Sequence, residues 1–240
     1  MNSMEWRFFG SLFGNLKETL NPTLRRLFIG NFLSSLGTGM TFSLLLVYLK
    51  DIRGFTTTFG GFLLSFMAVI SIFCAGPIGW LVDRIGPKKV IILGLMLEGS
   101  AVALWSVVTT KDESILIAVL SSIGTLMIWP PQVVMISRVS NENDRQRIFG
   151  INFMLFNLGM GIGGFTASLI VHAGNAASFE LLYRLDALSY LGYLLVIFSI
   201  KGDFRASQVE GPTRNGSYRE VLRDRTFVKV AFAGFLYLTF

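Results

Sequence analysis

One acidic residue stands where an acid is expensive. Glu98 lies near the middle of an otherwise apolar run, about 90–109, and an ionised carboxylate at the centre of a bilayer costs a few kcal/mol on insertion scales. Such a group must be neutral, paired or facing a wet crevice. Gly94 and Ala101 fall on its helical face, whereas Leu93, Leu97, Ser100 and Leu104 form a more lipid-like one, so the spacing turns Glu98 into a helix bundle. Its candidate chemistry is to take up and release a proton or to recognise a cation. The plainer alternative is a neutral acid that hydrogen-bonds a neighbouring helix. Two polar stripes accompany it. Asn31, Ser34, Ser35, Thr38 and Thr41 share one side of the first apolar run, and Ser121, Ser122, Thr125, Trp129 and Gln132 share one side of the fourth. The fifth run adds Asn152 and Asn157. Serine and threonine also tighten membrane helix packing, but two matching stripes read as walls of an aqueous cavity. Its candidate lining is Asn31, Ser34, Thr38, Ser121, Thr125, Trp129, Gln132, Asn152 and Asn157.

Other chemistry has little support. The chain carries no nucleophile elbow, zinc-binding spacing, Walker sequence or glycine fingerprint of a dinucleotide fold. A single histidine, His172, and a single cysteine, Cys74, argue against clustered metal ligation and an internal disulfide framework. No cofactor, metal or enzymatic activity is expected, and a pump of this kind would draw on an ion gradient or on its substrate's own. Arg184 and Asp186, near the outer end of the sixth run, point to different faces. Arg184 reads as snorkelling to the headgroups, while capping, pairing across helices and lining an outer vestibule all stay open for Asp186.

The elements that must position these groups are membrane helices. The chain is 52% hydrophobic and 15% charged, with 22 phenylalanines, against roughly 25% charged residues in soluble domains. The apolar runs are continuous rather than alternating, so the expected fold is all-α and polytopic. Six complete runs lie at about 27–49, 59–79, 90–109, 115–137, 148–172 and 181–200, and a seventh opens near Thr226. The expected organisation is an interfacial segment over 1–24, a six-helix bundle over 25–200, a linker over 201–225, and the start of a second bundle over 226–240. The chain is thus expected to be roughly the first half of a longer carrier. Within 1–24, Trp6, Phe9, Phe13, Leu16 and Leu20 define an amphipathic face.

Basic residues set the expected orientation. With a cytoplasmic N-terminus, the far side holds only Lys50, Arg53, Lys111 and Arg184 of the 21 lysines and arginines. The same asymmetry accounts for the net charge of +6 without a nucleic-acid partner. An internal echo is also present: residues 33–40 (LSSLGTGM) and 120–127 (LSSIGTLM) agree at six of eight positions, which fits an inverted repeat of three helices plus three. Trp129-Pro130-Pro131 is expected to kink the fourth helix, and Gly159, Gly161, Gly163 and Gly164 to permit close packing of the fifth.

Between the second and third runs, Gly79, Asp83, Arg84, Gly86, Lys88 and Lys89 form a charged hinge with ordered spacing, Gly-x-x-x-Asp-Arg-x-Gly-x-Lys-Lys. This stretch resembles the signature loop of the major facilitator superfamily, and the likeness extends over the whole chain, most like bacterial drug-efflux-type members. The resemblance implies alternating access, with these six residues in a cytoplasmic gate whose aspartate and basic groups favour the outward-facing state. It implies a small-molecule substrate, protons as a coupling ion with Glu98 as candidate acceptor, membrane lipids as surroundings, a monomeric full-length protein, and residence in the cell (inner or plasma) membrane. Uptake of a metabolite, lipid flipping, and a sensor or assembly protein without transport are the alternatives. Three departures stand out. Ser121 occupies a place where proton-coupled exporters often carry arginine. Leu155 and Met160 replace a glycine and a proline of the fifth-helix pattern. Ser137-Arg138 stands where an acid is expected, leaving Glu142 or Asp144 as partner for Arg84.

Overall fold

The computed structural model describes residues 21–202 and 204, apart from residue 173, all within the compact unit Met1–Arg205. Six long helices make up the fold: α1 (Pro22–Phe42), α2 (Thr57–Ile85), α3 (Pro87–Trp105), α4 (Lys111–Val139), α5 (Arg145–Ile170) and α6 (Ala176–Ser199). A helical turn and a π-helical turn, Tyr48–Ile52, extend α1 beyond Phe42. Residues 1–20 of the interfacial segment expected over 1–24, most of the linker and the seventh helix from Thr226 lie outside the described residues.

Local chemistry starts the helices where short polar residues precede the apolar runs. Asn21 accepts the Leu24 amide at 2.9 Å, and Pro22 follows at the first turn. Thr56 caps α2 and Asn175 caps α6. Thr110 and Glu113 form a reciprocal capping box on α4. Asn21 also donates to the Val139 carbonyl at 2.9 Å, tying the start of α1 to the end of α4.

Five of the described helical stretches are long and apolar enough to cross a membrane. The exception is α3, whose 19 residues include Lys88, Lys89 and Glu98. At about 1.5 Å per residue it is still roughly 28 Å long, close to the thickness of a hydrocarbon core. It packs chiefly between α4 and α6, as α1 does between α5 and α6, while α2 rests on α4. Large apolar side chains such as Ile72, Phe73, Phe153, Phe165 and Leu169 point outward, as lipid contact permits and water would not.

Glycine sets how closely these helices approach. A side chain at Gly159 would strike Ser35, and one at Gly163 would strike the Leu36 carbonyl, so the i, i+4 pair in α5 is a seat for α1. Gly161 meets nothing and Gly164 only an ordinary contact. The helix α4 continues through Pro130 and Pro131. The expected hinge between the second and third helices is much shorter than its sequence suggests. Residues 79–85 continue α2, and the reversal is confined to Gly86 at φ 88°, after which Pro87 opens α3. A positive φ there is readily available to glycine.

Candidate functional site

A cavity of about 500 Å³ opens among the helices. Its walls are mainly apolar and aromatic, including Phe42, Met67, Trp105, Trp129, Phe156 and Met160. Trp129 and Phe156 meet edge to face with centroids 4.5 Å apart, joining α4 to α5 along this wall. Polar atoms are few: Thr38 and Thr41 from α1, Ser71 from α2, Glu98 from α3, Ser121, Ser122 and Thr125 from α4, and Tyr183, Asp186 and Tyr190 from α6. Among the described residues no lysine, arginine or histidine lines the cavity, and no cluster of three histidine, cysteine or acidic side chains is placed to hold a metal.

Glu98 is buried at 6% exposure and lies across Gly124 of α4. Its Oε2 has no hydrogen-bond partner among the described residues, nor do the buried Ser121 Oγ and Tyr183 Oη. Buried polar atoms are ordinarily paired, so three unpaired ones on one cavity mark it as a place where water or a ligand completes the bonding. Asp186 is in the opposite condition. It is 1% exposed, and its carboxylate accepts from the Thr41 hydroxyl at 2.6 Å and the Ser189 hydroxyl at 3.3 Å. Thr38 and Tyr190 share a hydrogen bond of 2.9 Å, a second link from α1 to α6.

The expected lining residues divide into three groups. Thr38, Ser121, Thr125, Trp129 and Glu98 meet on the cavity. Asn31, Gln132 and Asn152 lie outside its lining and form a buried network instead. Asn31 donates to the Asn152 side chain at 3.0 Å and to its carbonyl at 3.1 Å, Gln132 donates to Asn152 at 3.2 Å, and Tyr193 donates to Gln132 at 2.9 Å. Ser34 is buried and bonds the Asn31 carbonyl, while Asn157 faces outward and bonds Phe153 of its own helix. The reason is reach: a long amide finds partners on neighbouring helices before it finds water.

Sequence reasoning named Asp186 but left its role open and set it near the outer end of its apolar run. The helix α6 begins earlier, at Ala176, which places the acid well inside the helix, bonded across to Thr41 of α1 and on the cavity. The 3-4-3 spacing of Tyr183, Asp186, Tyr190 and Tyr193 was the available signal. Arg184 is exposed and pairs with Glu180 at 3.6 Å, and Glu180 also meets Arg53 at 3.2 Å. Arg53 further donates to the Tyr48 hydroxyl and the Ser106 carbonyl, while Tyr48 donates to the Trp105 carbonyl. These contacts clasp the extension of α1 to the ends of α3 and α6.

At the other end of the bundle lie the residues of the charged motif. Asp83, Arg84 and Lys89 are exposed, and the Arg84 guanidinium lies over the Trp80 ring at 5.0 Å. Among the described residues Arg84 makes no ion pair with Glu142 or Asp144, the two acids expected as substitutes. Lys88 instead donates to the Ile200 carbonyl, Arg26 to the Ser199 carbonyl at 2.6 Å, and Arg138 to the Phe204 carbonyl. Lys88 and Arg26 thus sit on the C-terminal end of α6, where free carbonyls and the helix dipole attract positive charge, while Arg138 holds the chain just beyond it.

The family model of the Major Facilitator Superfamily matches residues 27–240. This chain belongs to the major facilitator superfamily. It is a multi-pass membrane protein of that family, with drug-efflux proteins among its distant relatives. The quinolone resistance protein NorA of Staphylococcus aureus is 30% identical over 154 residues, which are 62% of this chain and 39% of that protein. The multidrug resistance protein MdtH of Cronobacter sakazakii is 27% identical over 204 residues, 84% of this chain and 49% of the relative. The chain therefore spans less than half the length of these curated relatives. A bacterial homologue of the iron transporter ferroportin, solved in its outward-facing state, superposes with a TM-score of 0.65 at 19% identity, covering 77% of this chain and 46% of that one. That likeness is one of superfamily fold.

Proposed function

We propose that the chain forms the N-terminal half of a secondary active transporter that works by alternating access and exports amphipathic or lipophilic small molecules, with protons as the coupling ion and Glu98 as their carrier. The observation that carries this reading is the cavity itself, apolar and aromatic in its walls, with a buried acid whose Oε2 lacks a partner. Such a surface binds lipophilic molecules without demanding one pattern of hydrogen bonds. NorA and MdtH, named for quinolone and multidrug resistance, support export over uptake.

In this reading the N-terminus is cytoplasmic, and Gly79, Asp83, Arg84, Gly86, Lys88 and Lys89 form the inner gate. The position of Lys88 on the end of α6 supports that role, because motion of the α2–α3 turn would break its bond to Ile200. The full-length protein acts as a monomer in the cell membrane, carries no cofactor and performs no covalent chemistry. The test is flux of a lipophilic dye, ethidium, from vesicles holding the natural gene product, with and without a proton gradient. Gradient-driven flux that Glu98→Gln uncouples is the expected result. Gradient-driven flux that survives Glu98→Gln would leave Glu98 a packing role.

A further inference from the structure

Glu98 and Asp186 occupy equivalent places in the two halves of the internal echo. In the echo, Gly37 of α1 aligns with Gly124 of α4. A side chain at Gly124 would strike Glu98 Oε2, and one at Gly37 would strike Asp186 Oδ1. Each acid therefore lies across the matching glycine of the matching helix, Glu98 from α3 and Asp186 from α6. The flanking residues agree too, Leu97-Glu98-Gly99 against Leu185-Asp186-Ala187. Thr38 and Thr125, the next echo positions, both line the same cavity. An inverted repeat of three helices plus three produces this relation.

We propose that Glu98 and Asp186 are the two equivalent acids of one proton-carrying pair, with Asp186 as its second site. The proposal rests on the reading of Glu98 as a coupling acid. Two buried acids share a cavity that no cationic side chain lines among the described residues, so a proton or another cation must supply the compensating charge. Their surroundings divide the work. Thr41 and Ser189 donate to Asp186 in close hydrogen bonds, whereas Ser121 and Thr125 stand beside Glu98 without a completed bond to its Oε2. The other titratable side chains on the cavity are Tyr183 and Tyr190 of α6, while α1, α2, α4 and α5 present none to it. Tyr48, Arg53 and Glu180 are engaged with one another at the end of the bundle. Each acid takes a proton from water on one side and returns it to water on the other, so that only O–H bonds are made and broken.

The natural gene product, purified in detergent, tests the pair by infrared spectroscopy of protonated carboxyl groups across a pH series. Glu98→Gln and Asp186→Asn are each expected to remove one band and to move the pH at which the other disappears, since interacting sites titrate together. Asp186→Asn in reconstituted vesicles is expected to lose proton-driven flux. If Glu98→Gln removes a band but Asp186→Asn changes neither the spectrum nor the flux, the pair is overturned and Glu98 stands alone. If Glu98→Gln removes no band, the coupling reading falls and the pair falls with it. Should Asp186→Asn fail to fold, Thr41→Val keeps the shape and removes the donor. A shifted Asp186 band then supports the proposal, and an unmoved one overturns it.

Discussion

Glu98 lies directly across Gly124. A Cβ at position 124 would sit 2.6 Å from the Glu98 Oε2 and 2.9 Å from its Cβ. The missing side chain of one helix is thus the resting place of the acid of another, and α3 and α4 close together on it and on Gly94, which meets Met127. Gly124→Ala is expected to cost about 1–3 kcal/mol through overpacking and to displace Glu98 from the cavity. Thermal denaturation in detergent reads the first effect and gradient-dependent flux the second. A variant as stable and as coupled as the unsubstituted protein would show that the contact yields freely.

Asn152 is the hub of the buried amide network, holding Asn31 of α1 and Gln132 of α4. Asn152→Leu leaves both partners with unsatisfied groups, each costing about 1–3 kcal/mol. The expected outcome is a lower denaturation midpoint with the cavity walls retained. A double-mutant cycle with Gln132→Leu checks it: the pair is expected to cost less than the sum of the single changes, because contacting residues are not additive.

The charged motif separates into two expected behaviours. Asp83 is exposed and unpaired among the described residues, so Asp83→Asn is expected to leave thermal stability within about 0.5 kcal/mol while slowing transport. Lys88 bonds the end of α6, so Lys88→Gln is expected to lower stability by about 0.3–1 kcal/mol, the usual worth of a cation at a helix C-terminus. Unchanged flux in Asp83→Asn would remove the gate assignment.

Arg53 joins three elements at once, through the Tyr48 hydroxyl at 2.7 Å, the Ser106 carbonyl at 3.0 Å and Glu180 at 3.2 Å. Arg53→Gln is expected to lower stability by about 2 kcal/mol, since hydrogen bonds to charged groups are worth about 1.5–3 kcal/mol. Glu180→Gln, which spares the other two bonds, is expected to cost less. Hydrogen exchange at Ser106 and Tyr48 amides in the two variants checks the ranking. Equal protection in both would put the weight on the ion pair instead.

The helices were legible because their causes are local. Continuous apolar runs, and the Asn21-Pro22 pair ahead of the first of them, require no knowledge of a neighbour. The motif was legible in its residue types but not in its shape. Residues 79–85 are compatible with a loop when read alone, and only the continuous backbone bonding of α2 shows that Gly86 carries the reversal. The polar stripe of α1 was legible as a face but not as a destination. One turn of helix separates Asn31, which bonds Asn152, from Ser35 over Gly159, and about one more brings Thr38 to the cavity.

The sequence by itself determined an all-helical membrane protein, its family signature and the presence of an acid too costly to be incidental. Composition and spacing suffice for these, because lipid imposes its demands on each segment separately. Only the tertiary structure decided which polar groups share a space. Long amides satisfied one another across helices and left the cavity to hydroxyls, aromatic rings and two acids. Glycine contacts between distant residues set those helix distances, and so brought Asp186 onto the same cavity as Glu98.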